Sequence, residues 1–129
     1  MKQYEEWLIK AESDLKTAKK LIAGDDPIFD TATYHTQQCA EKALKAYLSF
    51  KQNPILKIHD LGDLVEICMK YNKKFAELMD DADALTPYSI MYRYPPSFGS
   101  PDENEVKMAI EKAEKILNFV KMEIQRESQ

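Results

Sequence analysis

Hydrophobic residues recur at alternating steps of four and three along the first part of the chain. This spacing puts them on one side of an α-helix, as in helices that pack into a bundle. Gly24 follows at a position where helices commonly end in a left-handed residue. The pattern therefore predicts a first helix over residues 2–23. Its buried stripe consists of Tyr4, Leu8, Ala11, Leu15, Ala18 and Ile22.

The same spacing predicts two more long helices. The second runs over residues 28–51, because Pro27 favours a helix start and Asn53-Pro54 a helix end. The last is predicted to begin at a capping box, Ser100-Pro101-Asp102-Glu103, with Pro101 in the first turn, and residues 125–129 are predicted to fray. The stripe of the second helix is Phe29, Thr33, Thr36, Ala40, Ala43, Tyr47 and Phe50. The stripe of the last is Val106, Ile110, Ala113, Leu117, Val120 and Ile124.

Shorter helices are predicted between the second and last long helices. Asp60 is a suitable N-cap for a helix over residues 61–71, buried through Leu61, Leu64, Val65 and Cys68. A fourth helix is predicted from residue 72, with a bend near Thr86-Pro87 because an interior proline removes a backbone hydrogen bond. Its inward-facing residues are predicted to be Phe75, Leu78, Ala82 and Leu85.

No alternating run or hairpin dipeptide indicates a strand. We therefore predict an all-α fold, an up-and-down antiparallel helical bundle of four to five helices. The chain has 129 residues, the size of a single domain, so the bundle is expected to span residues 1–129.

Composition narrows the class of protein. With 44% hydrophobic and 31% charged residues the chain is typical of a soluble globular protein. The net charge of −4 means that the overall field does not attract nucleic acid, so any such binding needs a local basic site. Cys39 and Cys68 are predicted to be buried free thiols, because each lies among hydrophobic residues without metal-site spacing. No signal peptide or apolar run of membrane length is present, so a cytoplasmic location without membrane contact is expected.

A polar face on the second helix is the first candidate site. Gln38, Glu41, Lys42 and Lys45 follow one another at i, i+3, i+4 and i+7, with His35 just before them. One interpretation is a solvated surface with a Glu41–Lys45 ion pair. The other is a groove in which the lysines meet phosphate and Glu41 orients a base or ribose.

His59 and Arg93 are the other candidates. A histidine beside a helix N-terminus is disfavoured as a cation, so His59 is expected to be neutral and bonded to the backbone or packed. A face shared by His59, Asp63 and Glu66 lacks a second histidine, so no metal site is predicted. Arg93 is one of two arginines and is followed by Tyr94. It could stack on a base and bind phosphate, or it could pack on tyrosine rings and bond helix-end carbonyls. No phosphate-binding loop or hydrolase motif is present, and no cofactor is predicted.

Four segments in order resemble the HEPN family, the higher-eukaryote and prokaryote nucleotide-binding domain. Residues 7–15 (WLIKAESDL) resemble its opening helix, and residues 37–46 (QQCAEKALKA) resemble its QQ-x-AEK-x-x-KA signature. His59-Asp60-Leu61 and Arg93-Tyr94-Pro95 resemble its H-x-L and RYP elements. The resemblance implies a dimeric helical bundle, in many members the partner of a minimal nucleotidyltransferase in a toxin–antitoxin pair.

Other family members are metal-independent ribonucleases with an Arg followed four to six residues later by a His at the dimer cleft. No histidine follows Arg93 here, so that motif is absent in its usual form. The resemblance therefore favours a homodimer that binds nucleotide or RNA and pairs with a nucleotidyltransferase. The candidate contacts are Gln38, Glu41, Lys42, Lys45, His59, Arg93 and Tyr94, with catalytic residues unknown. The alternatives are a ribonuclease with a variant site using Arg93 and His59, and a purely structural interaction dimer.

Overall fold

A computed structural model describes residues 1–54, 57–95 and 99–129, and within these ranges the regular structure is helical throughout. The predicted all-α bundle is confirmed. Short 3₁₀ helices, Lys73–Leu78 and Thr86–Ser89, flank the fourth α-helix. The α-helices are α1 (Gln3–Ile22), α2 (Phe29–Phe50), α3 (Leu61–Met69), α4 (Met79–Leu85) and α5 (Glu103–Glu127).

Helix α2 is the centre of the bundle. It has its most extensive contacts with α1 and also packs against α5, α3 and α4. The small residues at its middle are completely buried, with Ala40 and Ala43 both 0% exposed. Because these side chains are short, neighbouring helices can approach the α2 backbone closely. The stripes predicted for α1 and α5 also lie in, or against, the hydrophobic core.

The helix ends agree with the predicted signals in two places and differ in a third. Gly24 has φ of +85°, as expected for a left-handed helix terminus. Asp60 caps α3 by accepting a hydrogen bond from the backbone N–H of Asp63 at 2.9 Å. The predicted capping box at Ser100 is wrong: the N-cap of α5 is Asp102, which accepts from the N–H of Glu105 at 2.8 Å. Aspartate caps as well as serine does, and its charge also suits the helix dipole.

The region predicted as a single fourth helix is interrupted. It begins as the 3₁₀ helix Lys73–Leu78, continues as α4, and changes again to 3₁₀ geometry at Thr86. This last change falls at the predicted Thr86-Pro87 position, where Pro87 removes a backbone donor. Helix α3 ends at Met69, two residues before the predicted end at residue 71. Part of the predicted 94–100 loop, residues 96–98, lies outside the described residues.

The C-terminal end of α5 is held rather than frayed. The helix continues to Glu127, whose carboxylate accepts hydrogen bonds from the Tyr47 hydroxyl and the Lys51 ammonium, both at 2.7 Å. The prediction of fraying from residue 125 was therefore wrong, because contacts distant in sequence fix this end.

Both cysteines are free and buried, as predicted. Burial raises the pKa of the Cys39 thiol to about 12, and burial also raises that of Cys68. Neither thiol is a ready nucleophile in this environment. Among the described residues, no helix combines the length and hydrophobicity needed to cross a membrane.

Candidate functional site

The polar residues of α2 separate into two clusters. We call Gln37, Gln38, Glu41, Lys45 and His59 the Glu41 cluster, and Asp14, His35 and Lys42 the Asp14 cluster. Residues that share one face of α2 have different partners. Helix α1 contacts one part of the face, where Lys42 bonds Asp14, and the segment before α3 contacts another part, where Glu41 bonds His59. A single open groove lined by all the predicted polar residues does not form.

The centre of the Glu41 cluster, formed by Gln37, Glu41 and Lys45, is buried and hydrogen-bonded. Glu41 is 6% exposed and Lys45 is 4% exposed, so the solvated-surface interpretation does not hold for this pair. The Glu41 carboxylate accepts from Lys45 Nζ at 2.9 Å and from Gln37 Nε2 at 3.1 Å, and it lies 3.0 Å from His59 Nδ1. Gln38 Nε2 donates in turn to Gln37 Oε1 at 2.7 Å.

These contacts set the charge state of Glu41. Burial alone would raise the pKa of this carboxyl, but hydrogen bonds from Lys45, Gln37 and His59 outweigh burial and hold its pKa below the ordinary value. Lys45 also lies 5.9 Å from the centre of the Trp7 ring. An ionised Glu41 paired with a buried ammonium is therefore part of the helix packing.

His59 connects the segment before α3 to α2. Its side chain is 71% exposed, yet Nδ1 reaches Glu41 and its backbone oxygen accepts a long, 3.5 Å bond from Gln37 Nε2. The imidazole was expected to bond a backbone group or to pack; it is instead largely exposed, and its Nδ1 bonds the Glu41 carboxylate. No group of three or more His, Cys, Asp or Glu side chains suited to a metal ion occurs within residues 1–54, 57–95 and 99–129.

Asp14 bonds both other members of the Asp14 cluster. It is 8% exposed, and its two oxygens bind different partners: Oδ1 lies 2.9 Å from His35 Nδ1, and Oδ2 accepts from Lys42 Nζ at 2.7 Å. Sequence reasoning missed Asp14. Its position offers a signal, since it is three residues after Ala11 and four before Ala18, both on the buried stripe of α1. An aspartate there must find a partner when the helix packs.

Arg93 packs on two tyrosine rings. Its guanidinium carbon is 4.2 Å from the centre of the Tyr34 ring and 5.3 Å from that of Tyr94. One terminal nitrogen donates to the Ser89 backbone oxygen at 2.7 Å. The interpretation of an arginine packed on tyrosines and bonded to a helix-end carbonyl is confirmed. Tyr34 was missed, because nothing in the sequence links it to Arg93.

A cavity of about 370 Å³ lies between the start of α2 and the turn that carries Arg93. We call it the Arg93 pocket, and it is lined by Asp30, Thr31, Tyr34, His35, Tyr92 and Arg93. Its volume is within the range of small-molecule sites. Because Asp14 holds Nδ1 of His35, Nε2 is the ring nitrogen that remains for a ligand. The pocket thus combines a guanidinium, an imidazole and aromatic rings.

A larger groove of about 730 Å³ between α1 and α5 is a weaker candidate. Two of its lysines are neutralised, since Lys19 pairs with Glu114 at 2.9 Å and Lys121 with Glu12 at 2.5 Å. None of the described residues that line it is aromatic, so these residues offer no surface on which a base would stack.

Comparison with known proteins agrees with the helical architecture and with the motifs. The chain is 31% identical over 127 residues to a protein of Methanocaldococcus jannaschii named "Putative toxin MJ1304", a match that covers 87% of this chain and 82% of that protein. The crystal structure of ST0689, described as an archaeal HEPN homologue, superposes with a TM-score of 0.75 at 29% identity. It covers 96% of this chain and 99% of the other. The sequence profile described as the HEPN domain matches residues 4–124, and the chain therefore belongs to the HEPN domain family.

Proposed function

We propose that this protein is a nucleotide- or RNA-binding HEPN module and that the Arg93 pocket is its ligand site. The observation that carries this proposal is the Arg93 guanidinium stacked on Tyr34 at a cavity that His35 also lines. Arginine presents several N–H donors in a plane, and only one terminal nitrogen is used by Ser89. The remaining donors suit phosphate oxygens.

The aromatic rings suit the other part of a nucleotide. Tyr92 lines the pocket, and Tyr94 is 60% exposed beside Arg93, so both offer surfaces on which a base can stack. Asp30 gives the pocket an acceptor for ribose hydroxyls. Because the net charge is −4, binding must come from this local arrangement. We therefore expect affinity to fall as salt screens the contact between Arg93 and phosphate.

The remaining candidates are assigned supporting roles in this proposal. Glu41, Lys45 and His59 bond to one another and fix α2 against the segment before α3. Gln38 acts through Gln37, and Lys42 holds the Asp14 carboxylate that orients His35. Substitution of these residues is expected to affect ligand affinity through folding stability.

The test is calorimetric titration of the protein with ATP, GTP and a short RNA. Arg93→Ala should weaken binding about tenfold or more, since a charge-assisted hydrogen bond contributes about 1.5–3 kcal/mol. Arg93→Lys should be intermediate, because it keeps the charge and loses the planar donors. Arg126→Ala is the matched control, since Arg126 pairs with Glu123 at the other end of α5. Equal affinity in the Arg93 and Arg126 variants, or no binding by the wild-type protein, would overturn the proposal.

We infer further that the module is a homodimer that pairs with a minimal nucleotidyltransferase as a toxin–antitoxin system. The similarity to a protein named as a toxin supports the toxin–antitoxin assignment. Ile90, which is 68% accessible beside the Arg93 pocket, supports a surface that is covered in the dimer. Light scattering should give twice the chain mass of 14.9 kDa. A monomer at working concentration, or failure to co-purify with an adjacently encoded nucleotidyltransferase, would count against this assembly.

A second candidate function is metal-independent RNA cleavage at the same pocket. The observation that favours it is the Asp14–His35 pair beside Arg93, because a carboxylate-oriented imidazole can act as a general base. In this version His35 takes the role that the sequence suggested for His59, which does not line the pocket. His35 would accept the ribose 2′-hydroxyl proton as the 2′-oxygen attacks phosphorus, and Arg93 would stabilise the charge developing on phosphate. The bond from phosphorus to the 5′-oxygen would then break, leaving a 2′,3′-cyclic phosphate, and the 5′-oxygen would take a proton from water.

The ribonuclease candidate is tested by incubating concentrated protein with RNA in the absence of its partner. Loss of general-base catalysis typically costs 10²–10⁴ in rate, so His35→Ala should abolish cleavage while His59→Ala retains it. Intact RNA after long incubation with wild-type protein would refute this candidate and leave the binding proposal standing. Loss of cleavage in His59→Ala alone would refute the assignment to His35.

A further inference from the structure

We propose that Tyr92, anchored by Glu105, is a positioning residue that sets the direction of the Arg93 side chain. This inference concerns the conformation of Arg93, and it rests on the proposed function only where ligand affinity is measured. Its three supports are the backbone of Tyr92, the bonds of its hydroxyl and the contacts of Arg93.

The backbone of Tyr92 has an unusual conformation. Its φ is +69°, in the left-handed region that bulky L-residues rarely adopt. Such a conformation persists only where surrounding contacts hold it. Tyr92 is neither glycine nor asparagine, so contacts of its side chain and of the turn around it have to hold this conformation.

The side chain of Tyr92 has those contacts. Its hydroxyl donates to Glu105 Oε2 at 3.1 Å, and the Tyr88 hydroxyl donates to the same oxygen at 2.7 Å. The two rings stack with centres 6.2 Å apart and planes 23° apart. Glu105 is itself fixed in the first turn of α5, where its N–H is capped by Asp102. The turn before Arg93 is thus fastened to the start of α5.

Arg93 takes its direction from this turn. Its backbone N–H donates to the Ile90 oxygen at 3.1 Å, and its guanidinium bonds Ser89 and covers Tyr34. If Tyr92 leaves the left-handed region, the peptide plane that joins it to Arg93 rotates. The guanidinium then loses its position over Tyr34. The Glu105 carboxylate therefore acts at the pocket through Tyr92, although it does not line the pocket.

The chain offers a direct readout, because it contains only two arginines, Arg93 and Arg126. Protein labelled with ¹⁵N-arginine should give two side-chain Nε–Hε signals in an NMR spectrum. The Arg93 signal is expected to be shifted by the Tyr34 ring, and Tyr34→Leu identifies it. In Tyr92→Phe we expect this signal to move towards its position in Tyr34→Leu, while the Arg126 signal stays in place.

Tyr88→Phe is the matched control. It removes a hydroxyl bonded to the same Glu105 oxygen and keeps the stacked ring, but it does not adjoin Arg93. The Arg93 signal should stay unchanged in Tyr88→Phe and should move in Glu105→Ala, which removes the anchor. Urea unfolding of each variant verifies that it is folded. An unmoved Arg93 signal in folded Tyr92→Phe, or an equal movement in Tyr88→Phe, would overturn the inference.

ATP affinity links the inference to the proposed function. If Tyr92→Phe reduces the competent population of Arg93 to about a fifth, the Kd for ATP rises about fivefold. It should change less than twofold in Tyr88→Phe. A moved Arg93 signal with no ATP binding by wild-type protein would refute the proposed function and leave the positioning role intact. ATP binding that is equal in Tyr92→Phe and wild type, with an unmoved signal, would refute the positioning role alone.

Discussion

Glu41 illustrates, at the scale of one residue, how a charged side chain can belong to the core. Its carboxylate is buried among Lys45, Gln37 and His59, and these donors keep its pKa below the ordinary value despite burial. Removing one partner of a buried pair leaves the other charge without compensation. Such a change costs more stability than removal of a solvent-exposed pair.

We predict that Glu41→Gln lowers the free energy of unfolding at pH 7 by about 3–5 kcal/mol, because the substitution removes one charge of a buried ion pair. Glu103→Gln is the control, since Glu103 pairs with Lys107 at 3.7 Å on the exposed surface of α5. It should change stability by less than about 1 kcal/mol. Urea unfolding of the three proteins measures the difference, and equal effects of the two substitutions would contradict this account.

The contribution of Glu41 to the free energy of unfolding should also depend on pH. Because the folded-state pKa is lowered from the ordinary 4.5, the stabilisation is fully present above pH 4.5 and is lost as the pH falls through the folded-state value. The gap in unfolding free energy between wild type and Glu41→Gln should therefore shrink below pH 4.5. A gap that stays constant from pH 7 to pH 3 would show that ionisation of Glu41 has no part in it.

At the scale of the elements, the middle of α2 depends on small side chains. Ala40 is 0% exposed in the helix that contacts all the other α-helices. We predict that Ala40→Leu destabilises the protein by about 1–3 kcal/mol, because the added atoms have no space in a packed core. Ala84→Leu, at an exposed position of α4, is the control and should stay within about 0.5 kcal/mol. Thermal unfolding measures the stability of both variants. Unchanged stability of Ala40→Leu would mean that the core beside Ala40 has room for a larger side chain.

Helices could be predicted from the sequence more readily than the contacts between them. The three long helices were predictable because each stripe repeats over several turns, so one misjudged residue changes little. The start of α5 was misplaced because Ser100 and Asp102 are both good N-caps, and local chemistry does not choose between them. The Asp14–His35 and Tyr34–Arg93 contacts were not predictable, since they depend on how α1, α2 and the turn after α4 pack. Arg93 and Tyr94 were found as candidates, and packing on tyrosines was one interpretation of Arg93, but Tyr34 was not found.

At the scale of the whole molecule, Glu127 joins the end of the chain to two earlier elements. Its carboxylate accepts from Tyr47 and Lys51 on and just after α2, and from Asn72 Nδ2 at 3.3 Å after α3. Burial would raise the pKa of Glu127, but the bonds from Lys51 and Tyr47 outweigh it and lower that pKa. This carboxylate therefore closes one end of the bundle in its ionised form.

We predict that Glu127→Ala destabilises the protein by about 1–3 kcal/mol, because the Tyr47 hydroxyl and Lys51 ammonium lose their acceptor. Hydrogen exchange should show earlier opening at the ends of α2 and α5 than elsewhere. Glu111→Ala on the exposed face of α5 is the control and should have little effect. Unchanged exchange at these helix ends in Glu127→Ala would mean that hydrophobic packing alone holds them.

We propose that nucleotide or RNA binds at the Arg93 pocket. The most direct measurement follows the two arginine side-chain NMR signals while ATP, and then a short RNA, is added to wild-type protein. We predict that the Arg93 signal shifts and saturates with at least one of these ligands, while the Arg126 signal does not move. Saturable binding by calorimetry with no movement of the Arg93 signal would place the ligand elsewhere and contradict the account.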